Sequence, residues 1–284
     1  MLVRDLLENH KAELTAAERR LVPFLRDDSL AIELQSITKL AEAAQVSTPT
    51  VIRLARKLGF DGFPSLQSAI RAELAERIKQ PLAKLEARAP KGQDDHIVNI
   101  AAHMLVQNVN QTLAQLDFNA FDEVAALLGN SENSIHLIGG RITWPVAYHF
   151  ANHLGMARFG VNLLNSSQSA WPQTILDMDE KSILVVFDIT RYERMMERLA
   201  EISAAQGAKI LLFTDQWGSP IEKIADYCFR ATGEAPSSWD STVALAFLVE
   251  TLVAAIQNQA PQESANRIRQ IEEMIGATEI FRRS

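Results

Sequence analysis

Apolar residues in the first 77 positions recur at steps of three and four, the period of helices that bury one face. Thr15-Ala16-Ala17-Glu18 has the form of a capping box and opens a helix with Leu21, Phe24 and Leu25 on its apolar side. Ser36 stands where it can cap a short helix with Ile37, Leu40 and Ala41 inward. Thr48-Pro49 predicts another start, a hydroxyl N-cap followed by proline at the first helical position. That helix buries Val51, Leu54 and Leu58 and stops at Gly59. Phe60 and Phe63 flank the turn Asp61-Gly62, and a further helix follows from Pro64 to Lys79. Pro81 and Ala89-Pro90-Lys91-Gly92-Gln93 mark a linker, placed at 78–93.

Beyond the linker a long amphipathic helix carries Ile97, Ile100, Met104, Val109, Leu113 and Leu116. The pattern then changes to short apolar runs separated by helical stretches: Ile135–Ile138, Phe159–Leu164, Ile183–Phe187, Ile210–Phe213 and Tyr227–Ala231. Strands alternating with helices imply βαβ units, here a five-stranded and mostly parallel sheet covered on both faces. A hydrophobic helix over Ser241–Ile256 and a charged tail helix over Glu263–Ile275 complete the chain. The expected division is an all-α domain at 1–77, an α/β domain at 94–260 and a C-terminal helix and tail at 261–284.

Within the all-α part, Ser36–Phe60 forms two short helices separated by Ala44-Gln45-Val46-Ser47, with Val46 filling the space between them. Such a helix-turn-helix pair lets its second helix enter a DNA major groove by its leading end. Because Val51, Leu54 and Leu58 face inward, Thr50 and Arg53 are assigned to base edges, with Thr48 beside them. Ser47, Arg56 and Lys57 are assigned to phosphates, assisted by Lys39. The net charge of −7 does not oppose this. Eleven of the 28 Lys and Arg and 11 of the 35 Asp and Glu lie in residues 1–77, leaving 17 basic and 24 acidic residues for the rest. The excess acid is therefore remote from the motif. Over residues 36–60, Lys39, Arg53, Arg56 and Lys57 stand against Glu42 alone.

The run LAEAAQVSTPTVIRLARKLGFDGFPSLQSAI resembles the N-terminal module of RpiR/MurR-type regulators, and the similarity spans residues 2–77. That resemblance implies a sugar isomerase (SIS) domain after the linker, a flavodoxin-like α/β sandwich, and residues 97–256 fit it in strand count and spacing. It further implies a transcriptional repressor tuned by a small anionic ligand, a sugar phosphate or sugar acid. A homodimer or homotetramer would present paired modules to a palindromic double-stranded operator.

In a flavodoxin-like order, the ligand crevice lies at the carboxyl ends of the first and third strands, where strand order reverses. The loops there are Gly139-Gly140-Arg141-Ile142-Thr143-Trp144 and Asp188-Ile189-Thr190-Arg191-Tyr192. The glycines open backbone N–H groups to an anion at a helix start, Arg141 and Arg191 add charged donors, and Thr143 and Thr190 add hydroxyls. Ser237, Ser238 and Ser241 either complete this pocket or cap the helix that follows. The loops depart from the serine-rich "S.SG.T" and "G.G.S" patterns of sugar-phosphate SIS domains, so arginine capture or loss of binding replaces serine capture. Alternative readings are a sugar-phosphate isomerase-like enzyme and a ligand-independent DNA-binding scaffold.

The remaining features exclude more than they add. No apolar run reaches the roughly 18 to 20 residues of a membrane span. The N-terminal segment lacks the apolar stretch of a signal peptide, and Cys228 stands alone, which suits a reducing, cytoplasmic setting. His149 and His153 have a metal-compatible spacing but no third ligand, and Glu250 interrupts an apolar helix. No catalytic residue, metal or cofactor is assigned.

Overall fold

The computed structural model describes residues 3–26, 36–78, 96–164 and 167–280. Nearly all of the expected linker at 78–93, and the last four residues of the tail, lie outside them. The chain divides into two units, Met1–Ala87 and Arg88–Ser284.

In the first unit α1 (Val3–Asn9), α2 (Ala16–Arg19), α3 (Val22–Arg26), α4 (Ile37–Ala43), α5 (Thr48–Lys57) and α6 (Phe63–Ile78) surround a core of Leu7, Leu21, Leu40, Leu54 and Leu66. The expected capping box is present, with Thr15 N–H donating to Glu18 Oε2 and Glu18 N–H to Thr15 Oγ1. The helix it opens is shorter than the spacing predicts and breaks after Arg19. Pro23 is the reason. Its ring excludes the carbonyl four residues earlier, that of Arg19, so a new helix must begin around the proline.

Ser36 caps α4 by accepting Lys39 N–H at 3.1 Å. The cap residue of α5 is Ser47 rather than Thr48, so Thr48 and Pro49 are its first two helical residues. Gly59 ends α5 at φ +87°, and Phe60 N–H reaches back to the Ala55 carbonyl. The same closure ends α4, where Val46 N–H bonds the Ala41 carbonyl, but there the left-handed position is held by Gln45 at φ 53°.

The second unit is an α/β sandwich. Its helices are α7 (Ile97–Ala114), α8 (Phe118–Gly129), α9 (Trp144–Ala157), α10 (Trp171–Leu176), α11 (Arg194–Ala205), α12 (Val243–Gln259) and α13 (Pro261–Thr278). Its strands are β1 (Ser134–Gly139), β2 (Val161–Leu163), β3 (Ser182–Asp188), β4 (Lys209–Asp215) and β5 (Tyr227–Ala231). All strands are parallel, in the order β2-β1-β3-β4-β5. This is the flavodoxin-like arrangement, with order reversing between β1 and β3.

Alternate strand residues feed two cores. Leu137, Val185, Phe187 and Phe213 meet α8, α9 and α12, while Ile138, Leu184, Val186 and Leu212 meet Trp171, Met196 and Leu199. The helix α8, which the apolar spacing does not announce, starts at Asp117, whose carboxylate accepts the N–H groups of Asn119 and Ala120. Its far end is closed from a distance. The buried Arg158 guanidinium donates to the carbonyls of Leu128 and Asn130 at 2.7 Å. Among the described residues no single helix is long and apolar enough to cross a membrane.

Candidate functional site

Two groups of residues have the composition of a site, one in each unit. On α5, the inward face (Val51, Leu54, Ala55) is fully buried and fixes which side chains point away from the core. Arg53 and Arg56 are exposed, as are Lys39 on α4 and Ser47 at the cap, and Thr48 is half-buried. The structure thus places five of the predicted nucleic-acid residues where a duplex can reach them.

Two others are placed differently. Thr50 is 4% exposed. Its methyl group lies on the core side of α5, and its hydroxyl bonds Ser47 Oγ at 2.9 Å and accepts from Arg53 Nη2 at 3.3 Å. It orients Arg53 along the helix and does not itself present a group to a base. Lys57 is turned back to the body of the domain, with Nζ 2.7 Å from Glu18 Oε2 and 2.8 Å from the Glu13 carbonyl. Burial alone would raise the Glu18 carboxyl, but the hydrogen bonds from Lys57 and Thr15 outweigh it and hold the group below its usual range. A lysine serving a buried carboxylate is not a free phosphate ligand. Conversely, Arg20 reaches the turn between α4 and α5, donating to the Gln45 carbonyl at 3.3 Å. Twenty-five residues separate the two, so no local motif could have flagged it.

In the second unit the reversal of strand order brings the β1 and β3 loops together. Gly139 is required there, because a Cβ would lie 2.7 Å from the Thr143 backbone. At Gly140 a Cβ would meet the Glu193 carboxylate at 2.8 Å. That carboxylate accepts Arg141 N–H at 3.1 Å, while Gly140 N–H goes to the Phe187 carbonyl. The loop amides expected to face an anion are therefore taken up inside the protein.

The threonines are also committed. Thr143 is 1% exposed and donates to the Phe187 carbonyl at 2.6 Å. Thr190 sits at φ 64°, a conformation that costs a β-branched residue about 1–3 kcal/mol. It is held by two bonds of 2.6 Å, its N–H to Asp215 and its hydroxyl to Asp240. Asp215 in turn accepts from Tyr192 Oη and from the N–H groups of Trp217 and Gly218.

Beneath these loops lies Asp188, 2% exposed, accepting from Ser219 Oγ at 2.5 Å and from Glu193 N–H at 3.2 Å. Burial pushes its carboxyl up to about 6 against those two bonds, and the nearby Asp215 and Glu193 charges add to the rise. The crevice floor is thus a self-satisfied carboxylate brace. What remains available lies at the rim. Arg141 and Arg191 are exposed, and the Arg141 guanidinium stands 6.0 Å from the ring of Trp239, itself 53% exposed. Ser237 closes a local turn with Trp239, and Ser241 Oγ accepts Val243 N–H at the start of α12, the capping role. Ser238 is half-buried beside them.

The segment carrying Trp239 and Asp240 is anchored at both ends. Asp240 takes the Thr190 hydroxyl at the crevice, while Thr232 N–H donates to Thr112 Oγ1 and the Glu234 carbonyl accepts from Asn108 Nδ2. Sequence reasoning missed this link because Asn108 and Thr112 lie more than a hundred residues away on α7. Glu250, the charged residue in apolar α12, is exposed and lies 3.5 Å from His149 Nε2. Among the described residues no cluster of three or more His, Cys, Asp or Glu can hold a metal ion.

Comparison with known proteins accords with both halves. Residues 1–77 match the helix-turn-helix domain model of the rpiR family, and residues 130–255 match the SIS domain. The chain is 22% identical over 278 residues to an uncharacterized HTH-type transcriptional regulator of Clostridium perfringens (strain 13 / Type A), covering 94% of this chain and 96% of that one. It is 23% identical over 268 residues to the uncharacterized HTH-type transcriptional regulator YfhH of Escherichia coli (strain K12), covering 92% and 94%. Its fold is similar to the sugar isomerase domain of an RpiR transcription factor from Sphaerobacter thermophilus. The TM-score there is 0.58 at 20% identity, over 63% of this chain and 99% of that one. It is also similar to the Vibrio vulnificus NanR protein complexed with ManNAc-6P, with TM-score 0.57 and 16% identity over 98% and 99%.

Proposed function

Since the chain belongs to the RpiR type of transcriptional regulator, joining an rpiR-family helix-turn-helix domain to a SIS domain, we propose that it represses transcription from a palindromic operator under control of a small anionic ligand. The observation that carries DNA reading is the outward side of α5, with Arg53 and Arg56 free of the core and Ser47 and Thr48 at the leading end. Arg53, oriented by Thr50, reads a base edge, while Ser47, Arg56 and Lys39 take phosphates and Arg20 adds charge beside the turn. A paired molecule seated on its operator blocks transcription by occupancy alone, and a homodimer matches the two-fold symmetry of such a site.

The ligand class we favour is a phosphorylated sugar or sugar acid seated at the crevice rim. The exposed guanidinium groups of Arg141 and Arg191, with Trp239, Ser237 and Ser238 alongside, support an anion bearing hydroxyls, and the NanR complex with ManNAc-6P supports a phosphosugar in this fold. In this reading the anion competes with Glu193 for the Arg141 amide, and the freed β1 and β3 loops act on the anchored segment through Thr190 and Asp240. A ligand changes operator affinity only to the extent that it binds two arrangements unequally, typically about 1–3 kcal/mol. The naming of relatives as transcriptional regulators supports a sensor rather than an enzyme.

The test is selection of bound duplexes from a random-sequence pool, followed by salt-dependent anisotropy titration. Arg53→Ala should weaken the selected duplex by about 5- to 150-fold, the range of 1–3 kcal/mol for a specific base contact, with unchanged circular dichroism. Absence of salt-sensitive duplex binding by the unmodified chain would remove the reading altogether.

A further inference from the structure

The helix α7 is packed the wrong way round for an amphipathic helix of a lone molecule. Its residues below 2% exposure are polar, Asn108 at 1% and Thr112 at 0%, because they satisfy backbone groups of the segment after β5. Its apolar residues are left outside, with Val98 63%, Val106 59% and Leu113 40% exposed. With Ala102, also exposed, and the half-buried Val109, they form a row at steps of four, four, three and four. Residues so spaced fall on one stripe of an α-helix, and this is the spacing of the seam along which two helices interlock.

We infer that this seam is the seat of a second copy of this chain, α7 against α7. The inference names the surface for the self-association proposed above. Charge selects the occupant. Across its 18 residues α7 holds no Asp, Glu, Lys or Arg, and the exposed neighbours of the seam, Asn99, His103 and Asn110, are uncharged at neutral pH. The rest of the chain beyond residue 77 carries 24 acidic against 17 basic residues, so most faces of this unit repel their own copies. A neutral apolar stripe with a polar rim is self-complementary, as an isologous contact requires. Val106 lies at the middle of the row, so parallel and antiparallel pairing both put it beside its counterpart. The inner side of the same helix grips the segment that carries Trp239 and Asp240, so the shared seat and the crevice are joined by two hydrogen bonds.

The experiment is sedimentation velocity on the full chain at micromolar concentration. The unmodified protein should be dimeric, and Val106→Glu should dissociate more than tenfold more readily, with an unchanged circular dichroism spectrum because the position is exposed. As a second measurement, Val106→Cys in a Cys228→Ser background should give a covalent dimer on mild oxidation, and Ala114→Cys, away from the seam, should not. A monomeric unmodified chain, an undiminished dimer in Val106→Glu, or cross-linking no greater at 106 than at 114 would each overturn the inference. Covering of the seam by the chain's own first unit would appear as the first of these outcomes. Operator binding, measured separately, reports on the regulator reading, so loss of either leaves the other intact.

Discussion

Replacing Lys57 by Met keeps the aliphatic stem and removes one ammonium group, and its effect separates two accounts of the recognition helix. In the structure that ammonium serves Glu18, 3% exposed, and the Glu13 carbonyl, with hydrogen bonds of 2.7 and 2.8 Å. Charged hydrogen bonds contribute about 1.5–3 kcal/mol each. The lysine side chain is 26% exposed, which screens part of that. Thr15 still supplies two donors to the carboxylate after the change. The net loss should be about 2 kcal/mol, which converts to roughly 30-fold faster exchange of the α5 amides that open with the domain.

Hydrogen-exchange mass spectrometry of peptides spanning residues 48–58 reads this directly. The sign with pH follows from the Glu18 carboxyl being held low in the fold. Its contribution is present above the unfolded-state value and fades as pH falls through the folded one, so Lys57→Met should flatten that acid-side loss. The slope of log affinity for duplex DNA against log salt should not change, because no phosphate contact is lost. Unaltered exchange together with a slope flatter by about one would refute the reasoning and make Lys57 a phosphate ligand.

Other positions give sharp expectations. Asp188 is held at about 6, above the unfolded value near 3.9, so the folded state binds the extra proton between these limits and stability from this group falls as pH rises across them. Asp188→Asn should therefore remove that slope and raise the melting midpoint at pH 7.5, by about 3 kcal/mol at most. A steeper pH dependence in the variant would contradict the assignment. Gln45→Gly should stabilise the first unit by roughly 0.5–1 kcal/mol, since glycine takes a positive φ without penalty, and a lower calorimetric midpoint would count against it. Glu193→Gln weakens the internal competitor for the Arg141 amide and should lower the concentration of ManNAc-6P needed for a given thermal shift, whereas Arg191→Ala should abolish that shift. Equal shifts in all three proteins would rule out the rim as the ligand seat.

The architecture was legible because its signals are local. Pro49, Gly59, the Ser36 cap and the Thr15–Glu18 box act within one helical turn, and period-two burial in runs such as Ile183–Phe187 reports a sheet covered on both sides. Family likeness in Ser36–Phe60 then carried the reading from a helical bundle to a DNA reader. Side-chain roles were less legible, because a hydroxyl or an amine is claimed by whatever the fold brings nearest. Thr190 was claimed by Asp240, Thr143 by the Phe187 carbonyl and Lys57 by Glu18.

Chain order by itself therefore determined two units, their element types, the sheet's parallel character and the charge asymmetry between motif and remainder, all of which depend on neighbours a few residues apart. Only tertiary structure decided which polar groups stay free. It spent the crevice amides on Glu193, turned Asn108 and Thr112 inward and left a valine stripe outside, because partners 39 to 126 residues distant set the hydrogen-bond and burial demands at each position.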